Sequence, residues 1–374
     1  MLIVGLCAQI GLAQEKESPE KKKLWSEISP YFSPEKEFQD QFGDYRSVLR
    51  FEDGREVKTP ADWKLRRADI LDKWQQMMGP WPKMITDQRL TLVDSVQKEG
   101  YMQYKVTFDW LPETQTDGYL LVPDGAAGKK LPAVITVFYE PETAIGEGKA
   151  ERDFARGLTK RGFVTLSIGT RKASKDRVYS LYYPSMENAT VQPLSALAYA
   201  AGNAWHALSK EVSVDSSRIG IMGHSFGGKW AMFGSALFEK FACAVWSDPG
   251  IVFDETKGAG VNYWEPWYLG YYNPPWENTW RKTGMIEGAK GLYPELMKKK
   301  IDLHELHALM APRPFLVSGG SSDPKYRWVA LNHTIRLNKF LGFENRVAMT
   351  NRPEHSPDKI SNNQAYSFFE YFLK

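Results

Sequence analysis

The sequence predicts an α/β fold: a mostly parallel central sheet with helices on both faces, antiparallel strands at its start and one large lid insertion. Three observations carry this. The runs 132–138 and 163–168 are continuously apolar, as strands covered on both faces must be. Helical spacing returns between such runs, so that successive strands are joined by crossovers. Residues 218–229 then pass from a strand through a glycine-flanked turn holding one serine directly into a helix.

Each element follows from local chemistry. Residues 1–13 are apolar with small residues at Gly11 and Ala13, which reads as a signal-peptide remnant without a basic leader. Leu6 before Cys7 argues against a lipid anchor on that cysteine. Residues 14–85 are polar and read as a helical and irregular N-terminal extension, with a helical stretch over 61–78 that stops at Gly79-Pro80-Trp81-Pro82. Alternation with turn residues between predicts antiparallel strands at 89–96, 101–110 and 119–122. The main α/β domain is then read as 86–374, with strands 132–138 and 163–168 around a helix at 150–161. In the segment 193–208, Leu194, Leu197, Ala198, Ala201, Trp205 and Leu208 recur at helical spacing, so this helix packs on the sheet. Residues 215–218 form a turn, the serine-bearing strand follows, and a helix runs over 227–238. Strands at 241–246, 313–318 and 346–350 and helices at 326–341 and 361–373 complete the alternation. Residues 249–303 are too long for a connection and read as a lid.

Composition bounds the function. The chain has 374 residues, 25% charged and 43% hydrophobic, with a net charge of +3, which fits one large core and gives no footprint for nucleic acid. No apolar run after the N-terminus is long enough to span a membrane. Removal of residues 1–13 would leave Cys243 alone, so the mature chain has no cysteine pair for a disulfide or a metal, and a secreted or periplasmic location is expected.

The chemistry centres on Gly223-His224-Ser225-Phe226-Gly227. A serine on so tight a turn needs neighbours without Cβ atoms, and the following helix aims its free amides at the place where an oxyanion would form. The serine needs an imidazole base held by a carboxylate, and the chain supplies both after later strands. Asp323 follows the strand at 313–318 and His355 follows the last strand, where open α/β sheets gather their sites. Ser225, Asp323 and His355 are therefore the expected catalytic residues. Asp248, at the end of the preceding strand, is the alternative or second acid, and Asp323 could instead cap a helix. His206, His224, His304, His307 and His333 fall in helices or in the turn itself and read as structural; the pair His304 and His307 lacks a third metal ligand. No metal or cofactor is called for. The amide of Phe226 and one from Tyr139 or Glu140 are the expected oxyanion donors, the second by analogy with other folds of this kind. Lys229 could reach the mouth of the site and bind substrate.

From residue 86 onward the chain resembles an α/β-hydrolase of the dienelactone hydrolase and acetyl xylan esterase kind, on Gly223-His224-Ser225-Phe226-Gly227, Gly320-Ser321-Ser322-Asp323 and His355. The turn with its trailing Gly228-Lys229 also resembles that of glucuronoyl esterases, which carry an arginine where this chain has Phe226. The resemblance implies a serine esterase acting on carbohydrate through an acyl-enzyme.

The insertion sharpens the substrate. Trp264, Trp267 and Trp276, followed by Trp280, stand among tyrosines, prolines and polar residues, a composition suited to stacking on sugar rings. An O-acetylated sugar and a uronate methyl or alkyl ester are both open; Lys229 and Arg171, if they face the site, favour the uronate. Two alternatives stand beside this reading. One is a prolyl oligopeptidase-type serine peptidase, against which the 85 N-terminal residues are too few for a propeller domain. The other is a non-catalytic sugar-binding protein of the same fold.

Overall fold

A nine-stranded sheet runs through the molecule in the order β1-β2-β3-β5-β4-β6-β7-β8-β9. The structure is a computed structural model and describes residues 18–171, 179–254, 268–271 and 290–374. Strands β1 (Thr91–Lys98), β2 (Tyr101–Leu111) and β3 (Thr114–Pro123) form an antiparallel meander. β3 joins β5 (Val164–Gly169) antiparallel, and from there the sheet is parallel through β4 (Leu131–Phe138), β6 (Val214–His224), β7 (Cys243–Ser247), β8 (Phe315–Gly319) and β9 (Val347–Asn351). This is the α/β-type sheet with an antiparallel start that the patterning predicts.

The apolar strands divide their side chains between two cores with the period of two that the pleat imposes. Ile135 and Val137 of β4 face one core with helices α4 (Pro193–Leu208) and α5 (Phe226–Leu237). Val134 and Phe138 face the other, with α3 (Phe154–Thr159) and α9 (Lys359–Leu373). Every residue of α4 is buried, so its all-round apolarity reflects packing on several sides. The remaining helices lie outside these: α1 (Pro19–Ile28) rests on α9 through Trp25 and Tyr371, whose rings are 5.3 Å apart. Helix α2 (Pro60–Met78) starts on a reciprocal Thr59–Asp62 cap and buries Trp63, Ile70 and Trp74. Its Trp74 indole donates to Glu305 of α7 (His304–Leu309) at 3.1 Å. Helices α6 (Leu292–Lys298) and α8 (Trp328–Phe340) complete the set among the described residues.

Two elements differ from expectation, each for a local reason. The helix anticipated over 150–161 is confined to α3, because Glu151 adopts φ +61° and a left-handed residue cannot continue an α-helix backward. Residues 215–218, anticipated as a turn, lie within β6. They still turn locally: the Asp215 carboxylate accepts from the Ser217 amide and Arg218 Nε, and the pairing with β4 jumps from Leu131↔Val214 to Ala133↔Ile219.

Candidate active site

The C-terminal ends of the parallel strands converge on Ser225. It sits between β6 and α5 with φ +57° and ψ −112°, a strained conformation for a residue with a side chain. Close packing enforces it. A Cβ on Gly223 would lie 2.2 Å from the Gly227 carbonyl oxygen, and one on Gly227 would lie 2.0 Å from that of Val137. Only glycine fits at either place. The Ser225 amide donates to the Ser247 carbonyl at 2.8 Å, which ties the turn to β7.

His355 follows β9 and meets Ser225 directly, with Nε2 2.9 Å from Ser225 Oγ. Its Nδ1 lies 2.6 Å from Oδ2 of Asp248. A carboxylate oxygen accepts, so Nδ1–H donates to Asp248 and the Nε2 lone pair is left for the serine proton. Asp248 is buried while the His355 side chain is 38% exposed, so the relay runs from the interior to an accessible hydroxyl.

The choice of Asp323 as the partner of His355 is corrected by these contacts. Asp248, which has φ +48°, lies at the end of β7, and its carboxylate accepts the amides of Gly320 at 2.6 Å, Asp323 at 2.8 Å and Ser322 at 3.2 Å. Gly320 must be glycine, since a Cβ there would stand 2.7 Å from Asp248 Oδ2. Asp323 points the other way: it accepts the amides of Gly250 at 2.7 Å and Ile251 at 2.6 Å, with Arg327 Nε at 3.6 Å. Burial, and next to it the charge of Asp248, pushes the Asp323 carboxyl above the usual range. Asp323 thus braces the backbone that presents Asp248.

Lys229 is also corrected as a substrate contact. It is wholly buried, and its ammonium donates to the Pro249 carbonyl beneath the site. Desolvation pushes its pKa down, against the attraction of Asp323 and Asp248. Phe226 begins α5, where an amide has no partner within the helix. Its ring stacks on that of Tyr139 at 4.2 Å and 7°, so the residue after β4 is brought beside the residue after the serine. Arg171 stands next to them: its amide donates to the Tyr139 carbonyl at 2.7 Å, and its guanidinium lies 3.7 Å from Glu140 and over the Tyr179 ring. Trp264, Trp267 and Trp276 lie outside the described residues, as does the segment 1–13.

The other histidines divide as follows. His304 and His333 bond the Arg46 and Phe42 carbonyls at 2.7 and 3.0 Å. His307 packs against Trp246 and His206 against Phe238. His224 has a nearer place: Nδ1 lies 3.1 Å from Ser247 Oγ, its ring is 4.7 Å from that of His355, and burial keeps it neutral well below the usual pKa.

Arg352 had no signal in the sequence beyond standing three residues before His355. Buried, it donates to the carbonyls of His355 at 2.7 Å, Ser356 at 2.8 Å and Ser318 at 2.9 Å and to Ser247 Oγ at 3.3 Å. It fastens the His355 loop to the ends of β7 and β8.

Sheet order, glycine turn and converging strand ends define the α/β-hydrolase fold with a serine at the nucleophile elbow. Comparison with known proteins agrees. The model of the prolyl oligopeptidase family matches residues 201–341. No curated protein sequence matches the chain. A glucuronoyl esterase from Solibacter usitatus is similar in structure, with TM-score 0.69 and 17% identity over 88% of this chain and 98% of that one. A carbohydrate esterase family 15 glucuronoyl esterase from Caldicellulosiruptor kristjansonii aligns at TM-score 0.61 and 20% identity, over 91% and 93%. A putative acetyl xylan esterase from Bacteroides fragilis aligns at 0.55 and 15%, over 88% and 86%.

Proposed function

We propose that the protein is a serine esterase that hydrolyses an esterified carbohydrate, with Ser225 as nucleophile, His355 as general base and acid, and Asp248 as the acid that holds the imidazole. The observation that carries this is the unbroken line from Ser225 Oγ to His355 Nε2 at 2.9 Å and from Nδ1 to Asp248 at 2.6 Å. Ser225 Oγ attacks the ester carbonyl while His355 Nε2 takes its proton. The electron pair moves to the carbonyl oxygen, which meets the amides of Phe226 and Tyr139. Collapse breaks the ester C–O bond and the alcohol leaves with the proton from His355. Water, deprotonated by the same nitrogen, then releases the acid.

The structural likeness to glucuronoyl esterases and to a putative acetyl xylan esterase supports a sugar ester, either an O-acetyl group or a uronate methyl or alkyl ester. Arg171 and the aromatic residues Trp264, Trp267 and Trp276 are the proposed sugar contacts. The family match over 201–341 favours a second reading, a prolyl oligopeptidase-type peptidase. Incubation with acetylated xylan, a glucuronate methyl ester and a proline-containing peptide nitroanilide decides between them. Release of acetate or methanol is expected, abolished in Ser225→Ala; release of nitroaniline alone would establish the peptidase. Export is proposed on residues 1–13 and is checked by N-terminal sequencing of protein recovered outside the cytoplasm.

A further inference from the structure

A cavity of about 250 Å³ opens at the far end of the sheet from Ser225, beside Val347 where β9 begins. His355 follows the other end of that strand, so the length of β9, about 15 Å at the strand rise, lies between the cavity and the imidazole. One wall is the N-terminal extension between Phe32 and Asp40; the other is α8 with the turn after it. Two left-handed residues shape the rim, Asp40 and Asn345, both at φ +56°.

The lining carries polar atoms that the fold does not use. Asn332 and Asn338, both on α8, are 4% and 3% exposed. Nδ2 of Asn332 donates to the carbonyls of Phe38 and Gln41, both at 2.8 Å, which fixes the amide, since a reversed one would set its oxygen against two others. Its Oδ1 is left with no hydrogen bond among the described residues. Asn338 donates to the Thr334 carbonyl at 2.9 Å, and its Oδ1 is buried without a donor. Nε of Arg346 is buried without an acceptor, and its guanidinium lies over the Phe343 ring at 5.5 Å. Such groups cost stability unless a partner meets them.

Two acceptors and one donor select the chemistry of that partner. An anion would meet the guanidinium but be repelled by both amide oxygens; a cation would meet the oxygens but face the guanidinium. A hydroxyl both gives and takes a hydrogen bond and suits either kind of group. The charges around the cavity balance, Asp40 and Glu344 against Lys339 and Arg346, which favours a neutral ligand. Ile335 and the 37% exposed Phe343 add apolar surface to the same lining. An apolar face edged with hydroxyls is what a pyranose ring presents, and the volume suits one such ring.

We propose that this cavity is a second carbohydrate site, one that holds a neutral sugar unit of a polysaccharide away from Ser225. The ligand class comes from the cavity; the glycans chosen to test it rest on the reading of the protein as a carbohydrate esterase. The full chain and its Phe343→Ala, Asn338→Leu and Ser225→Ala variants are run in native gels cast with acetylated glucuronoxylan, galactoglucomannan or pectin. Thermal melts and 4-nitrophenyl acetate hydrolysis are measured alongside. The wild type and Ser225→Ala are expected to be retarded by at least one glycan. Phe343→Ala and Asn338→Leu should bind that glycan at least about five-fold more weakly, the scale of one aromatic contact. Both should keep kcat on 4-nitrophenyl acetate within about two-fold, since they lie at the other end of the sheet from Ser225. Retardation of both variants equal to that of the wild type overturns the inference, as does a wild type retarded by none of the three glycans. Phe343→Ala decides where Asn338→Leu melts early, and a loss of binding confined to that destabilised variant overturns it too. Equal hydrolysis by wild type and Ser225→Ala, with retardation weakened in both cavity variants, overturns the esterase reading and upholds this inference.

Discussion

Asp248 and Asp323 hold one another's backbones: Oδ1 of Asp248 accepts the Asp323 amide at 2.8 Å, while the Asp323 carboxylate accepts the amides of Gly250 and Ile251, just past Asp248. The two acids are therefore neighbours with different duties. Only Asp248 touches His355.

Replacing each by Asn separates these duties. Asp248→Asn keeps the shape but loses the acceptor that fixes the imidazole tautomer, and kcat should fall by about 10⁴-fold; its NH2 then also faces the Ser322 amide, so some stability is lost with it. Asp323→Asn keeps one acceptor oxygen but turns its NH2 toward the other of the two backbone donors in a buried place, and should cost about 1–3 kcal/mol of stability. Steady-state kinetics and denaturant melts of both variants check this. A larger rate loss in Asp323→Asn than in Asp248→Asn would reverse the assignment.

The glycines of the elbow can be ranked by what a methyl group would strike. Gly227→Ala places Cβ 2.0 Å from the Val137 carbonyl oxygen, so the chain must move or fail to fold, and a loss of at least ~3 kcal/mol is expected. Gly125, with φ +73° and nothing within 4 Å, is the control, and its change to Ala should cost only ~1–2 kcal/mol. Equal melting temperatures for the two variants would contradict the packing argument.

Arg352 acts on catalysis through the loop it holds. Arg352→Met removes donors from the His355, Ser356 and Ser318 carbonyls, and kcat should fall by about 10- to 100-fold as His355 loses its fixed position. KM should change far less. A pH–rate profile that shifts while the substrate KM stays constant marks this positioning role; a variant with wild-type kcat would refute it.

Acid sensitivity should trace in part to His304. Burial lowers its pKa from the usual 6.5 to about 3, so between these values the unfolded chain binds the proton and the folded chain does not. Stability contributed by this residue therefore rises with pH across that window and is lost on acidification. From pH 7 to 5.5 the loss from this one group is about 1 kcal/mol. His304→Gln can still donate to the Arg46 carbonyl and should lose about that much less than wild type over the same interval. Urea melts at both pH values test it, and parallel losses would rule out His304 as a source.

The alternation of apolar strands with helices, and the glycines around Ser225, are local properties, and the sequence by itself determined the fold class, the elbow and the placing of His355 after the last strand. It determined them because periodicity and steric demands at a tight turn are written in adjacent residues. Other features depend on parts of the chain far apart in sequence. Asp248 and Asp323 each follow a strand, and each carries a carboxylate in chain order before His355. Only tertiary structure decided between them, because the pairing of β7 with β8 and the left-handed turn at Asp248 set which carboxylate points at the imidazole. Lys229 reads as a reaching surface residue one turn into a helix, yet it is buried because β7 and the chain after it close over α5. Arg352 carries no motif at all: the loops around it place it among backbone carbonyls.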